Sequence, residues 1–155
     1  MLTADDLSTP DWTLVIDTDE GELRTTVHDA DRLLPGGIVP KDTLVWVEGT
    51  TDKDCYLYVV QVGEGVVAVL FPADGSGDFV DSGTHLRLPF GGASFVVPID
   101  GRIRVVESPE PVPADDWWKL IHGRDPKQQG TTILNSVKMA DPKTAKPKKP
   151  KTLTQ

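Results

Sequence analysis

The chain has 155 residues, 38% of them hydrophobic, and a formal net charge of −8. This length suits one domain, and no apolar run approaches the roughly 18 residues that a membrane-spanning helix needs. The charge is divided along the chain: residues 1–118 carry a net charge of −15 and residues 119–155 a net charge of +7. This division predicts an acidic folded body followed by a basic extension, and the lack of a long apolar run excludes a membrane-spanning helix.

The N-terminal residues, Met1–Asp6, lack the positive region and the apolar stretch of a secretory signal, so the sequence predicts a cytoplasmic protein. Cys55 is the one cysteine, which excludes an intrachain disulfide, and its apolar neighbours predict a buried, unreactive thiol. Two Asp-rich stretches, residues 17–21 and 74–81, have the oxygen atoms of a calcium loop but not its spacing. We therefore assign no metal and no cofactor, with calcium as the weaker alternative.

The first predicted elements are short strands bounded by turn residues. Trp12–Ile16 and Leu23–His28 are separated by a loop that ends in glycine, which predicts a hairpin. Residues 29–37 form a connection with room for one helical turn, and a further strand is expected from Thr43 to Glu48.

The clearest pair of strands is Cys55–Val62 and Val66–Pro72, joined by three residues of which two are glycine. Both runs are apolar at nearly every position, which indicates that both faces of each strand are covered. This hairpin is therefore expected at the centre of the fold, followed by a polar loop over residues 73–82.

Three shorter strands follow, at His85–Pro89, Ser94–Pro98 and Arg102–Glu107. Short strands at regular intervals with Gly and Pro between them are typical of all-β domains. We predict an all-β fold, an antiparallel sandwich or partly open barrel, over residues 10–108, with a short C-terminal helix and a flexible tail.

The strand pattern ends at residues 109–113, where three prolines predict a stiff segment that leads away from the sheet. Residues 114–123 have acidic residues at the start, Lys and His at the end, and a final Gly, as a short helix requires. The sequence is thus divided into a β-domain (10–108), a connector with a Trp-bearing helix (109–123) and a flexible basic extension (124–155).

Two adjacent tryptophans lie in the predicted helix. One interpretation is that one ring covers the β-core and the other lies along its rim; the other is that both belong to a docking element, since aromatic side chains anchor interfaces. The second interpretation gives a set of candidate partner-binding residues, which also includes apolar positions of the segment 131–139: Trp117, Trp118, Leu120, Ile121, Ile133, Leu134, Val137 and Met139.

The Lys- and Pro-rich segment 142–155 allows three interpretations: a solubilising linker, a weak nucleic-acid contact, and a contact with an acidic partner or with the chain's own acidic body. Lysines without interleaved aromatics recognise nucleic acid poorly, and the acidic body would oppose such binding. Among the specific interactions, the sequence favours protein over nucleic acid.

The strands around the central hairpin also resemble an uncharacterised bacterial β-domain family. The resemblance covers roughly residues 34–108 and rests on Tyr56-Leu57-Tyr58, Leu70-Phe71-Pro72, Gly83, Leu88-Pro89, Phe95 and the strand from Gly101 to Ser108. Members of that family are often joined to caspase-like peptidases, kinases or lipoprotein modules. The resemblance implies a non-enzymatic accessory or sensing domain and supplies no catalytic residue.

No arrangement of nucleophile, acid and base is recognisable, so we expect a non-enzymatic protein-interaction module: an adaptor, inhibitor or regulatory subunit in bacterial signalling or antiviral defence. Its partner would bind the C-terminal extension. A caspase-like peptidase is one candidate partner, and cleavage after Arg124 would separate body from tail. The alternative is a small-ligand or glycan-binding β-domain that uses one of four aromatic residues for stacking: Trp12, Trp46, Tyr56 or Tyr58.

Overall fold

The computed structural model describes residues 2–72, 78–122, 132–134 and 139–140. In chain order the strands are β1 (Thr13–Thr18), β2 (Gly21–Thr26), β3 (Leu44–Thr50), β4 (Cys55–Gly63), β5 (Val66–Phe71), β6 (Asp78–Val80), β7 (His85–Leu88), β8 (Ser94–Val96), β9 (Arg102–Ser108), β10 (Thr132–Leu134) and β11 (Met139–Ala140). Helix α1 (Trp117–His122) follows β9, and single 3-10 turns lie at Ala4–Asp6, Ala30–Arg32, Pro35–Gly37, Phe90–Gly92 and Ala114–Asp116.

The first sheet is built around β3, which pairs with β1 on one side. On its other side β3 pairs with β7 along one half and with β8 along the other. The sheet continues outward from β1 to β2 and from β8 to β11, and all of these pairs are antiparallel.

The second sheet is built around β4, the longest strand. β5 and β6 pair with successive parts of one side of β4, and β9 pairs with its other side. β10 lies parallel to β5 at the far side of the sheet. β9 is therefore the edge strand on its side of β4.

The main core lies between the two sheets, where β-branched and other apolar residues alternate inward as sandwich strands require. Its centre includes Leu14, Val47, Leu57, Leu70 and Val105, each with none of its surface exposed. The β4–β5 hairpin is buried on both faces, as its continuous apolar pattern predicts. A two-residue turn joins these strands, and Gly65 takes the positive φ of +71° that this tight turn requires. The predicted all-β sandwich is thus confirmed.

A second core covers the outer face of the second sheet. Tyr58, Val60 and Val106 contribute from the sheet, and Val112 and Trp117 cover them. The rings of Tyr58 and Trp117 meet edge to face with centroids 4.9 Å apart. The Val112 amide donates a hydrogen bond of 2.9 Å to Tyr58 Oη. Val112 and Trp117, which follow the strands of this sheet in the sequence, therefore belong to the packed interior of the domain.

The prediction that residues 109–113 lead away from the sheet is wrong. Prolines hold this segment extended, but an extended segment can still pack along a sheet, and Val112 is only 3% exposed. Leu2 from the N-terminus is buried in the same core. Described residues that precede and follow the β-strands, from Leu2 to Ile121, thus pack into the same core.

The structure also bears on the predicted loop at residues 73–82 and on the predicted basic extension. The loop predicted over residues 73–82 contains β6, three residues too short to stand out between its Asp, Gly and Ser neighbours. Of the predicted basic extension, only β10 and β11 are described, and each is paired with a strand of this chain. Across the described ranges, no helix has the length and apolar character needed to cross a membrane.

Candidate binding groove

The outer edge of β9 is only partly paired. Gly101, just before the strand, forms both hydrogen bonds of an antiparallel bridge with Val39, and Glu107 forms both with Ser8. Backbone groups of alternate residues point to the same side of a strand, so Ile103 and Val105 direct their amides and carbonyls toward the same outer edge. No hydrogen bond from that edge of either residue is found among the described residues.

A cavity of about 250 Å³ lies along this unpaired stretch. We call it the β9 groove. It is lined by residues 102–105 of β9 and by Thr9, Val27 and His28. Thr9 directly follows the Ser8 bridge, and Val27 and His28 directly follow β2. The groove is therefore held in place by three segments of the chain that meet at the edge of the sandwich.

Two arginines line the groove. Arg102 and Arg104 are two residues apart on β9, so they share one face of the strand. Within the part of the chain that the structure describes, neither forms an ion pair with a carboxylate, whereas Arg24 and Arg87 both pair with Glu48. The exposed Arg32 likewise forms no ion pair among the described residues, so what distinguishes Arg104 is that it is half-buried as well as unpaired.

The environment of Arg104 favours the arrival of an anion. Burial lowers the pKa of its guanidinium, and the positive charge of Arg102 lowers it further. The guanidinium nevertheless keeps its charge at neutral pH, because the ordinary pKa of arginine lies far above neutral pH. A half-buried cation beside a like charge is destabilised until a negative group binds there.

Neighbouring residues define the ends of this charged region. An ideal Cβ on Gly37 would lie 3.3 Å from Arg102 Nε, so the absence of a side chain at Gly37 leaves room for the arginine. His28 is also exposed to the groove, and its Nδ1 lies 3.7 Å from Asp11 Oδ1. Asp11 also accepts a hydrogen bond from the His28 backbone amide at 3.0 Å, which fixes the wall of the groove.

The groove recognises charge rather than an open strand edge. Arginine pairs with carboxylates in a bidentate geometry. Ile103 and Val105 are 4% and 0% exposed, so the edge of β9 offers almost no surface to an added strand. A carboxylate-bearing peptide fits the charged region. In the sequence, Arg102 and Arg104 are only alternate polar positions of a predicted strand. The sequence pattern does not show that this strand lies at the edge of a sheet.

The structure places the predicted partner-binding residues in different environments. Trp117 and Leu120 are 1% and 4% exposed in the second core, and Ile121 packs at its rim. Binding by Trp117 or Leu120 would require α1 to leave the sheet. The side chain of Trp118 is not among the described groups.

The remaining predicted residues lie beyond α1. Ile133 and Leu134 are in β10, whose backbone pairs with Val67 and Ala68 of β5. Met139 is in β11 and pairs with Phe95 of β8. The backbones of β10 and β11 are therefore paired with strands of this chain. Val137 and the predicted cleavage site at Arg124 lie outside the described residues.

None of the four aromatic residues proposed for ligand stacking lines the β9 groove. Trp12 and Tyr58 are buried in the two cores. Trp46 is 6% exposed, with the Arg87 guanidinium 4.4 Å from its ring centre. Tyr56 is half-buried and its ring meets the exposed ring of Phe79 edge to face, with centroids 5.3 Å apart.

Cys55 does not form a reactive site. Its thiol is 1% exposed, and burial, together with the nearby charge of Glu107, raises its pKa to about 11. The thiol therefore stays protonated at neutral pH, which confirms the predicted buried cysteine. Within the described residues, no group of three or more His, Cys, Asp or Glu side chains is arranged to hold a metal ion.

Glu107 is a buried acid outside the groove, with none of its surface exposed. Its Oε2 accepts a hydrogen bond of 3.0 Å from the Asp52 amide, whereas Oε1 has no hydrogen-bond partner among the described residues. Burial raises the pKa of this carboxyl, and the Asp52 amide opposes the shift. Glu107 is therefore expected to affect stability rather than binding.

Comparison with known proteins gives no relative from which a function could be transferred. No protein-family model matches the chain, and no match is found among curated proteins or solved structures.

Proposed function

We propose that this chain is a non-enzymatic protein-interaction module, an adaptor or regulatory subunit, that binds a carboxylate-bearing segment of its partner in the β9 groove. The observation that carries the proposal is Arg104, half-buried in a groove beside Arg102 and without a carboxylate partner among the described residues. We therefore propose the β-sandwich, rather than the C-terminal extension, as the binding site.

Electrostatics supports a carboxylate as the bound group. A charge-assisted hydrogen bond between arginine and carboxylate is about twice as strong as a neutral one. A partly buried pair is also screened less by salt than an exposed pair. The partner's carboxylate would offset the repulsion between Arg102 and Arg104. This offset would contribute favourably to the free energy of binding.

The overall charge supports selectivity. A body of net charge −15 repels acidic molecules at long range. An acidic ligand would therefore be retained only where arginines are concentrated, which limits non-specific binding on the rest of the surface.

The proposal is tested with a labelled acidic peptide. We choose fluorescein-labelled Ser-Thr-Val-Asp-Val with a free C-terminal carboxylate, because β-branched residues favour an extended chain. Fluorescence anisotropy would compare the wild type with Arg104→Gln. The matched control is Arg32→Gln, which removes the same charge from an exposed 3-10 turn that does not line the groove.

We expect Arg104→Gln to weaken binding about tenfold or more, since a hydrogen bond to a charged group contributes about 1.5–3 kcal/mol. Arg32→Gln should bind within about twofold of the wild type, since long-range effects of one exposed charge are small at physiological salt. Equal affinity of the wild type and Arg104→Gln, or no peptide binding at millimolar concentration, would refute the proposed function.

A further inference from the structure

The outer edge of β2 is open to solvent. β2 ends the first sheet, and Gly21–Arg24 are exposed along it. Just beyond the paired residues of β1 and β2, the Val27 amide donates a hydrogen bond to the Trp12 carbonyl. Inward and outward backbone groups alternate along an antiparallel strand, so those of Glu22 and Arg24 point away from β1. No hydrogen bond from these outward groups is found among the described residues.

The side chains of this edge are complementary to a second copy of themselves. Glu22 and Arg24 alternate along β2, so they lie on one face of the strand, and Leu23 lies on the other face. When two copies of β2 pair antiparallel about Leu23, Glu22 of each copy lies opposite Arg24 of the other. The outward backbone groups of these two residues are then also opposite each other, so each such pair can exchange both of its hydrogen bonds.

The charges disfavour the neighbouring registers. A shift of two residues keeps the outward groups opposed, but it brings Arg24 opposite Arg24 or Glu22 opposite Glu22. Like charges directly opposite each other destabilise a pair of strands. A shift of one residue would place the outward groups opposite groups that already point toward β1. The register centred on Leu23 is therefore the one that satisfies both the backbone and the charges.

Leu23 supplies an apolar contact at the centre of this register. Its neighbour across the β1–β2 pair, Ile16, is buried in the main core, whereas Leu23 itself is 41% exposed. The two copies of Leu23 would form a non-hydrogen-bonded pair, in which the side chains approach each other most closely. Their contact would cover apolar surface that the single chain leaves in water.

The existing ion pairs of Arg24 do not prevent this contact. Its guanidinium lies 3.5 Å from Glu22 and 3.6 Å from Glu48 of the same chain, and its side chain is 54% exposed. Exposed ion pairs of this kind contribute little to stability, so the guanidinium can turn toward a second carboxylate with little loss. The edge of β2 is also separate from the β9 groove, since no residue of β2 lines that groove.

We propose that the exposed edge of β2 binds a second copy of this chain in a symmetric antiparallel pair centred on Leu23. The pairing would join the first sheets of the two copies into one continuous sheet. The contact is limited to residues 21–25, because the Thr26 carbonyl already accepts a hydrogen bond from the Asp29 amide. So short an interface predicts a weak dimer, with a Kd of about 10 μM or higher.

Analytical ultracentrifugation at about 0.15 M salt tests the pairing, since charges more than about 8 Å apart are largely screened there. Arg24→Glu and Glu22→Arg would each place like charges opposite each other at both symmetric positions. Either variant alone should therefore weaken the dimer at least about fivefold. Lys53→Glu, an exposed charge reversal in the loop between β3 and β4, is the matched control and should dimerise like the wild type.

A mixture of the two variants separates strand pairing from a change in either fold. In an equal mixture of Arg24→Glu and Glu22→Arg, opposite charges again face each other at both positions, so dimerisation should return to within about threefold of the wild type. The inference is overturned if the wild type stays monomeric at about 1 mM protein. It is equally overturned if either reversal leaves the dimer unchanged, or if the mixture associates no better than the separate variants.

Discussion

Replacing Trp117 with alanine is expected to destabilise the β-sandwich strongly. The side chain is 1% exposed, packs on Tyr58 and closes the second core. Truncation of a buried tryptophan to alanine costs about 3–5 kcal/mol, which includes the loss of the aromatic pair at about 0.5–1.5 kcal/mol. This is a large share of the roughly 5–15 kcal/mol by which domains are stable.

Urea unfolding followed by far-UV circular dichroism would measure the change. The midpoint for Trp117→Ala should fall with little change in slope, because slope reports the surface exposed on unfolding. Trp117→Phe keeps a ring in the core and should lose less stability, so it remains measurable if the alanine variant does not fold. Asp115→Asn, an exposed change just before α1, is the matched control and should unfold like the wild type.

The same experiment distinguishes the two interpretations of the tryptophan helix. If α1 were a free docking element, Trp117→Ala would leave the unfolding midpoint where it is in the wild type and would affect partner binding alone. An unchanged midpoint would therefore refute the second core. Removing residues 109–155 would likewise expose Tyr58 and its neighbours, so we expect that truncation to destabilise the body.

Three further predictions concern single sites in or beside the cores. Glu107→Gln keeps the acceptor for the Asp52 amide. The pKa of Glu107 is raised in the folded protein, so the wild type loses stability as the pH rises through that pKa and the carboxyl ionises. The variant should therefore be more stable than the wild type by about 1–3 kcal/mol at about pH 8 and by almost nothing at about pH 4. Equal gains at both values in urea titrations would contradict this. Gly49→Ala should lose about 1–3 kcal/mol or more in thermal unfolding, because the new Cβ would lie 2.3 Å from the Trp12 ring, and an unchanged melting temperature would show that the ring moves freely. Cys55, with its pKa near 11, should react with a thiol reagent at pH 8 only on the timescale of unfolding, and rapid labelling of the native protein would show that the thiol is accessible.

Much of the fold could be predicted because its signals are local. The apolar runs of β4 and β5, with glycines between them, specify a buried hairpin from sequence alone. The short helix was also predicted from its acidic start and its final glycine. β6 was missed because three residues carry too little pattern to separate a strand from a loop.

The packing of the C-terminal segment depends on contacts that are distant in sequence. Three prolines predict an extended conformation correctly, but they do not show that Val112 lies over Tyr58. The same is true of Trp117, whose interpretation as core or docking residue depends on whether the outer face of the second sheet is covered. A sequence pattern identifies an apolar face without identifying what packs on it.

The β9 groove could not be predicted for a related reason. Arg102 and Arg104 resemble the solvent-exposed half of an ordinary strand. Their role depends on β9 being an edge strand and on bridges to Val39 and Ser8, which are remote in sequence. Topology thus determines whether the same two arginines line a groove or a featureless surface.

Titration of isotope-labelled protein with the Ser-Thr-Val-Asp-Val peptide, followed by amide NMR, tests the binding site most directly. Binding in the β9 groove predicts that the largest chemical-shift changes occur at the amides of Ile103, Arg104 and Val105, with smaller changes at Thr9 and His28. Changes confined to α1 or to the first sheet, or no changes at millimolar peptide, would contradict it.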